Sequence, residues 1–254
     1  MSMQPTFIDV MRHGEPEGSC PEGGTILRGS IDHVLTNKGW LQAHQRVNNL
    51  LEKKALENGK EWDVIISSSL RRCAQFAKKL GAQELGAKKL GAEKINVPVF
   101  IKDAWRELHY GDWEGRSTHS IWQDQPEIME KMWQKPLEFC APNGESVKEF
   151  SLRIEQAWLD LLNEFQGKRI LLVCHGGVMR ILLHQLLLMA PEGMNRFAIP
   201  YAAMSRFRVD HSDSTEQPNQ HWPSLLCHLG DEIDGDVTEG ENGEVNGEVN
   251  NESH

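Results

Sequence analysis

The chain has 254 residues, of which 39% are hydrophobic, and a formal net charge of −10. This length is enough to bury the core of one ordinary domain, and no apolar run is long enough to cross a bilayer. Residues 231–254 hold nine Asp or Glu and no Lys or Arg, so residues 1–230 carry a charge near −1. A nearly neutral folded part argues against nucleic-acid-binding proteins, whose surfaces are strongly basic. We therefore expect one folded domain over residues 1–230, followed by a disordered acidic tail over residues 231–254.

The cysteines and the N-terminus point to an intracellular setting. The five cysteines are scattered, and none forms a Cys-x-x-Cys pair. An odd, dispersed set fits a reducing compartment better than a disulfide framework. The first residues lack the basic stretch followed by an apolar core that marks a signal peptide. We expect a cytoplasmic protein with no membrane partner, and no pattern indicates an oligomeric state.

The first predicted strand ends in residues suited to a charged ligand. A mostly apolar run from Phe7 to Met11 is followed by Arg12, His13 and Gly14. Ligands of open α/β sheets bind outside the carboxyl ends of the strands, where these side chains would lie. Taken alone, the pattern also fits a strand that happens to end in polar residues.

The second predicted strand brings an arginine to the same edge. After the first loop, the sequence predicts a helix with Thr36 as its N-cap. Residues 62–69 predict a buried strand that runs into a serine-rich turn, and Arg72 follows at the start of another helix. Residues 80–94 contain one five-residue unit in three tandem copies. Five is not a helical period, so we interpret this repeat as a surface insertion.

A third strand leads to a carboxylate. Residues 97–101 predict a short strand, and Pro98 favours a sheet edge or a strand start because proline has no N–H. The strand leads into a loop that carries Glu107. Residues 117–140 look helical with interruptions at Pro126 and Pro136, which predicts a small helical cap insertion over about residues 116–142.

A second histidine follows the next predicted strand. The apolar run over residues 169–174 ends in His175 and Gly176. A lone histidine after a strand is most often a satisfied turn residue, but this one repeats the pattern at His13. The remaining predicted elements are helices over 147–162 and 178–189 and strands over 204–209 and 225–229.

The alternation of predicted strands and helices favours an α/β fold. We predict a three-layer α/β/α domain with a mostly parallel central sheet. The segments that carry Arg12, Arg72, Glu107 and His175 all follow carboxyl ends of strands, so they can converge at one edge. Each residue alone has an ordinary explanation as a turn residue or a surface charge, but the joint pattern predicts a site.

The residue types at this edge suit a phosphate ester. Arg12 and Arg72 offer planar guanidinium groups for bidentate contact with phosphoryl oxygens. The helix predicted to begin near Gly176 adds backbone N–H groups and the positive end of its dipole. The expected partner is therefore a small-molecule phosphomonoester.

Three side chains can carry the reaction itself. His13, if neutral at one ring nitrogen, can attack phosphorus as a covalent nucleophile. His175, if protonated, can neutralise charge on the equatorial oxygens. Glu107 can protonate the leaving alkoxide and later activate water, provided that it is neutral at the first step. This chemistry requires no metal ion and no cofactor.

The combined motifs resemble the histidine phosphatase superfamily, with its phosphoglycerate-mutase-like fold, over residues 7–229. The resemblance implies that residues 1–230 form one histidine phosphatase domain, that His13 becomes the phosphohistidine, and that Glu107 is the acid and base. Residues 111–115 look like the corresponding segment of phosphatase members, including α-ribazole phosphatases. The other matching positions are Arg12, Leu35, Thr36, Gly39, Gln42, Ala43, Ser68, Leu70, Arg72, residues 143–146, His175 and Gly176.

Three departures from the family pattern bear on function. Many members place an asparagine a few residues past the Arg-His-Gly-Glu motif to contact phosphate, but residues 16–19 read Pro-Glu-Gly-Ser. Cys73 stands where the family usually has alanine. Mutase members carry an arginine pair for the other charged end of the substrate, whereas residues 117–140 contain no arginine. The last difference favours hydrolysis over phosphoryl exchange.

Three alternatives stay open. A mutase would isomerise 3-phosphoglycerate rather than release phosphate. A catalytically inactive binding protein on the same fold is disfavoured by the presence of the full set of candidate residues. A metallohydrolase using His13, His109, His119 and His175 lacks a ligand spacing such as His-Glu-x-x-His.

Overall fold

The computed structural model describes residues 4–18, 25–56, 62–82, 97–212 and 220–228, without the side chains of residues 53–56. The predicted acidic tail and most of the five-residue repeat lie outside the described residues. In chain order, the strands and helices are β1 (Thr6–Arg12), α1 (Asn37–Leu56), β2 (Val64–Ser68), α2 (Arg71–Gly81), β3 (Val99–Lys102), α3 (Thr118–Asp124), α4 (Pro126–Gln134), α5 (Val147–Glu164), β4 (Arg169–Cys174), α6 (Gly176–Leu186), β5 (Met204–His211) and β6 (His221–His228).

The strands of these residues form one sheet in the order β3-β2-β4-β1-β5-β6. The pairs β3–β2, β2–β4 and β4–β1 are parallel, whereas β5 runs antiparallel to both β1 and β6. The prediction of a mostly parallel sheet is confirmed. Strand β3 lies at a sheet edge, as Pro98 predicts.

Helices cover both faces of the sheet. Alternate residues of one strand point to opposite faces. In β4, Ile170 and Leu172 pack in a core with α5 and α6, whereas Leu171 and Val173 pack against α1 and α2 on the other face. The three-layer α/β/α arrangement is therefore confirmed.

The segment predicted as a cap contains α3, α4 and a 3₁₀ turn at Pro136–Glu138. Pro126 stands at the start of α4, where its missing N–H costs no helical hydrogen bond. Ile121 and Met129 are buried in the core that contains α5 and α6. The role of these helices as a cap stays a prediction. None of the helices in the described ranges is both long and apolar enough to span a bilayer.

The bounds of three elements differ from the sequence-based expectation. Helix α6 begins at Gly176, where its N–H groups were expected, whereas its apolar pattern starts only at residue 178, and it ends at Leu186 rather than at residue 189. Glycines at a helix start contribute nothing to hydrophobic periodicity, so the pattern could not place this boundary. Strand β5 extends to His211, and β6 begins at His221, because polar residues continue both antiparallel strands beyond their apolar parts.

The strand register brings the two predicted histidines together. In the pairing of β1 with β4, Arg12 lies opposite Cys174. His13 and His175 are the next residues, and the N–H of His13 donates to the Cys174 carbonyl at 3.0 Å. Strand β2, paired with the other side of β4, ends at Ser68. Three adjacent strands therefore deliver their carboxyl ends to one place, where ligands of such sheets bind.

Candidate active site

His13 presents one ring nitrogen as an electron-pair donor. Its Nδ1 lies 2.7 Å from the carbonyl oxygen of Gly14. A carbonyl only accepts, so this contact assigns the proton to Nδ1 and leaves the lone pair on Nε2. Burial, together with the charges of Arg72 and Arg12, holds the pKa of His13 well below the ordinary value of 6.5. A neutral imidazole with an unprotonated nitrogen is what a nucleophilic histidine requires.

His175 lies beside His13, with the two ring centroids 5.2 Å apart. The Nε of Arg72 donates to Nδ1 of His175 at 3.3 Å, so the proton is assigned to Nε2, which lies 2.8 Å from Oγ of Ser68. Burial and the charge of Arg72 hold the pKa of His175 well below 6.5. These surroundings favour the neutral form, in contrast to the expectation of a protonated His175. A bound phosphoryl dianion would raise the pKa of His175 and so favour its protonated form.

Arg12 carries a donor that the described residues do not use. Its Nη1 donates to the Ile199 carbonyl, and its guanidinium lies 4.3 Å from the centroid of the Tyr201 ring. Its buried Nε has no hydrogen-bond partner among the described residues. A Cβ placed on Gly176 would lie 3.4 Å from this Nε, so the donor is next to the first turn of α6. A buried N–H beside a helix N-terminus is well placed for a phosphoryl oxygen.

Arg72 is 1% exposed and is held by protein atoms. Besides His175, it donates to the carbonyls of Arg28, Gly29 and Ile31 at 3.0, 3.1 and 2.8 Å. These contacts occupy four of the five N–H groups of a guanidinium. Arg72 therefore holds a loop in place as well as carrying positive charge into the site.

Glu107 is hydrogen-bonded to the N-terminus of α6. The N–H of Gly177 donates to its Oε2 at 3.0 Å, and the N–H of Leu108 donates to its Oε1 at 3.1 Å. Burial lowers the pKa values of Arg12 and Arg72, and the negative charge of Glu107 opposes both shifts. The carboxylate thus lies within the electrostatic field of the two arginines, as the sequence predicts.

Sequence reasoning missed two contributors to the site. The ring of Tyr201 lies 5.9 Å from that of His13, and its loop has no recognisable motif. Arg28 is 8% exposed, and its charge is one of the smaller causes, after burial, that lower the pKa values of His13 and Arg72. Its guanidinium donates to the Gly18 carbonyl, so it also ties together the first loop. The sequence around Arg28 contains no motif that indicates a function.

The histidines of the metallohydrolase alternative do not assemble. His13 and His175 are adjacent, but exposed His109 lies 3.7 Å from Glu114 and exposed His119 lies 3.1 Å from Gln123. Across the described ranges, no three His, Cys, Asp or Glu side chains are arranged to hold a metal ion. The carboxyl ends of β1, β2 and β4 instead bring together cationic and hydrogen-bonding groups suited to an anion.

Comparisons with known proteins agree with this geometry. The histidine phosphatase superfamily (branch 1) matches residues 8–217. One curated relative is the adenosylcobalamin/alpha-ribazole phosphatase of Escherichia coli K12, 29% identical over 81% of this chain and 91% of that protein. Another is the 2,3-bisphosphoglycerate-dependent phosphoglycerate mutase of Bartonella tribocorum, 28% identical over 73% of this chain and 81% of that protein.

Solved structures share the fold. The alpha-ribazole phosphatase from Shigella flexneri aligns with a TM-score of 0.63 at 26% identity, covering 88% of this chain and 96% of that one. A mycobacterial glucosyl-3-phosphoglycerate phosphatase aligns with a TM-score of 0.68 at 21% identity, covering 89% and 99%. The proteins similar to this chain thus include both phosphatases and mutases.

Proposed function

Because the chain belongs to the histidine phosphatase superfamily, we propose that it is a metal-independent phosphomonoesterase that acts on small-metabolite phosphate esters. The observation that carries this proposal is the pairing of His13 with His175, 5.2 Å apart, between the guanidinium groups of Arg12 and Arg72. One histidine has an available lone pair, and the cations around it match the charge of a phosphoryl group.

In the proposed first step, Nε2 of His13 attacks phosphorus, and the bond between phosphorus and the ester oxygen breaks. The ester oxygen takes a proton from the carboxyl group of Glu107, so the alcohol leaves neutral. The Nδ1–H of His13 keeps its hydrogen bond to the Gly14 carbonyl, which holds the ring in orientation during attack. Arg12 stabilises charge on the equatorial oxygens through its available Nε–H.

In the second step, the Glu107 carboxylate accepts a proton from water, and the water oxygen attacks the phosphohistidine. The bond between phosphorus and Nε2 breaks, inorganic phosphate forms, and His13 returns to its neutral state. The hydrogen bond from the N–H of Gly177 keeps the carboxylate in place for both transfers. The same group thus acts first as an acid and then as a base.

A mutase is the second candidate, because a phosphoglycerate mutase is among the relatives of similar identity. A mutase must hold a second charged end of its substrate, and residues 117–140 supply no arginine for that purpose. This difference supports hydrolysis. Alpha-ribazole 5'-phosphate belongs in the first substrate panel, because two of the similar proteins carry alpha-ribazole phosphatase in their names.

The test is a phosphate-release screen over metabolite phosphomonoesters, including alpha-ribazole 5'-phosphate, in the presence of a chelator. The same reactions with 3-phosphoglycerate are followed by phosphorus NMR for isomerisation. We expect release of phosphate from at least one ester, with chelator present and with no release by His13→Ala. Isomerisation that outpaces hydrolysis would establish the mutase instead, and activity that requires added metal would contradict metal independence.

A further inference from the structure

Glu114 is a partly buried carboxylate that receives several hydrogen bonds from one loop. The N–H and Oγ–H of Ser30 donate to it at 2.6 and 2.7 Å, and the N–H of Ile31 donates at 3.0 Å. The N–H of Tyr110 adds a fourth contact at 3.3 Å. The side chain is only 9% exposed. A carboxylate in such surroundings binds its donors more strongly than a neutral acceptor does.

Arg72 binds the same loop through backbone carbonyls. The guanidinium donates to the carbonyls of Arg28, Gly29 and Ile31. The Glu114 carboxylate accepts from the N–H groups of Ser30 and Ile31. Residues 28–31 are thus held between one negative and one positive side chain. A Cβ on Gly29 would overlap the Leu108 carbonyl and Oε1 of Glu114, so the close approach requires glycine.

These contacts connect Glu114 to the candidate catalytic pair. While three carbonyls fix the guanidinium, the Nε–H of Arg72 lies 3.3 Å from Nδ1 of His175. That contact assigns the tautomer of His175. After burial, the charge of Arg72 is the next cause that keeps the pKa of His13 low. A displacement of residues 28–31 would therefore move the guanidinium relative to both histidines.

We propose that Glu114 is a positioning residue of the phosphoryl site: by holding residues 28–31, it fixes the guanidinium of Arg72 against His175. This inference rests on the proposed phosphatase function, since it concerns the same site. Glu114 acts through Arg72, whereas a residue that only stabilises the fold would affect unfolding without affecting phosphate binding.

The principal test is Glu114→Gln, which keeps the shape but removes the charge and replaces one acceptor oxygen by an NH₂ group. Loss of a charged buried hydrogen bond corresponds to a decrease of roughly 10- to 100-fold in kcat/KM. We also expect the dissociation constant of inorganic phosphate, measured by calorimetry, to be higher in this variant than in the wild type. Ser30→Ala removes only one of the contacts, so it folds more readily, and we expect a smaller loss of roughly 2- to 10-fold.

The matched control is Glu149→Gln, at the start of α5. Glu149 forms a capping box with Ser146 and makes no contact with the loop among the described residues. We expect a lower Tm for this variant but an unchanged kcat/KM and unchanged phosphate binding. A drop in Tm of similar size in Glu114→Gln would then not account for its loss of activity.

The decisive measurement is a double-mutant cycle with Arg72→Lys, because the three N–H donors of lysine sit on one nitrogen and cannot reproduce the four contacts of the planar guanidinium. We expect Glu114→Gln to have little further effect on phosphate affinity in the Arg72→Lys background. Independent, multiplying losses would overturn the proposal, as would wild-type phosphate affinity in both Glu114→Gln and Ser30→Ala. The wild-type protein is assayed before any variant is made. If it released no phosphate from any ester, the proposed function itself would be wrong, which is a different result from a failure of the Glu114 proposal.

Discussion

The N–H of Gly177 donates a hydrogen bond of 3.0 Å to Oε2 of Glu107, so the proposed acid–base group is attached to the first turn of helix α6. The helix starts directly after His175 and passes beside Nε of Arg12. A Cβ on Gly177 would overlap Oε1 of Glu107, so this arrangement requires glycine. One helix N-terminus therefore organises the carboxylate, the second histidine and a guanidinium together.

The first prediction concerns Gly177→Ala. The added methyl group must push the Glu107 carboxylate away from the helix, so proton delivery to the leaving group should suffer. We expect a loss of kcat/KM with alkyl phosphates approaching the roughly 10²- to 10⁴-fold contribution of general acid catalysis. Gly176→Ala is the neighbouring comparison, because its Cβ would make only an ordinary 3.4 Å contact with Arg12. An alkyl-to-aryl rate ratio equal to that of the wild type in Gly177→Ala would contradict this geometry.

The second prediction separates acid catalysis from other roles of Glu107. Glu107→Gln keeps an acceptor for the Gly177 N–H but cannot deliver a proton. Hydrolysis of alkyl phosphates should slow by roughly 10²- to 10⁴-fold, whereas formation of the intermediate from a nitrophenyl phosphate should survive, because nitrophenolate leaves without a proton. Burst kinetics measure the first step alone. Equal losses of the burst rate with both substrates would argue against the acid assignment.

The third prediction uses the buried thiols. Burial raises the pKa of Cys73 and of Cys174, and thiols react as thiolates. Iodoacetamide at pH 8 should therefore modify exposed Cys140 and Cys227 in the native protein and spare the two buried residues until the chain is unfolded. Peptide mass spectrometry measures the extent at each site. Native labelling of Cys73 at the rate of Cys140 would contradict its burial beside His175.

The fourth prediction concerns stability against pH. The pKa values of His13 and His175 lie well below 6.5 in the fold, so the unfolded chain takes up these protons first as the pH falls. The free energy of unfolding should therefore decrease as pH drops below 6.5, by up to about 1.4 kcal/mol per pH unit for each histidine, until the folded pKa is reached. Above pH 6.5 these groups contribute no slope.

Urea unfolding in phosphate-free buffers between pH 5 and 8 measures this slope, since bound phosphate would raise both pKa values. His13→Asn removes one of the two groups and should flatten the curve below pH 6.5. Parallel curves for the variant and the wild type would mean that His13 titrates normally in the fold.

Much of the site followed from one repeated pattern, an apolar run that ends in a histidine and a glycine. Buried strands ending in this way belong to a parallel sheet, and the pairing of Arg12 with Cys174 brings His13 and His175 together as expected. The alternation of strands and helices likewise predicted three layers. Hydrophobic patterns predict the strands, the helices and their layers because these elements are determined by which side chains are buried.

The parts that sequence could not predict depend on polar contacts between distant segments. Nothing in the pattern around Arg72 indicates that its guanidinium binds the carbonyls of residues 28–31, because any residue supplies a carbonyl. The lowered pKa of His175 depends on complete burial and on the charge of that same guanidinium. The apolar pattern of α6 shows only from Val178, because Gly176 and Gly177 have no side chain to show periodicity.

The most direct test of the central claim is to trap the intermediate on His13. A nucleophilic histidine forms a phosphoramidate, which is labile in acid and stable in alkali. Rapid quenching with a substrate carrying labelled phosphate, followed by peptide mapping, should place the label on His13. His175→Ala should slow labelling without moving it, and His13→Ala should lose both label and turnover, beyond the roughly 10²- to 10³-fold cost of losing one electrostatic donor. Label on His175 would mean that His175, and not His13, is the nucleophile. The absence of label in a single turnover, with His13→Ala still active, would contradict the covalent mechanism.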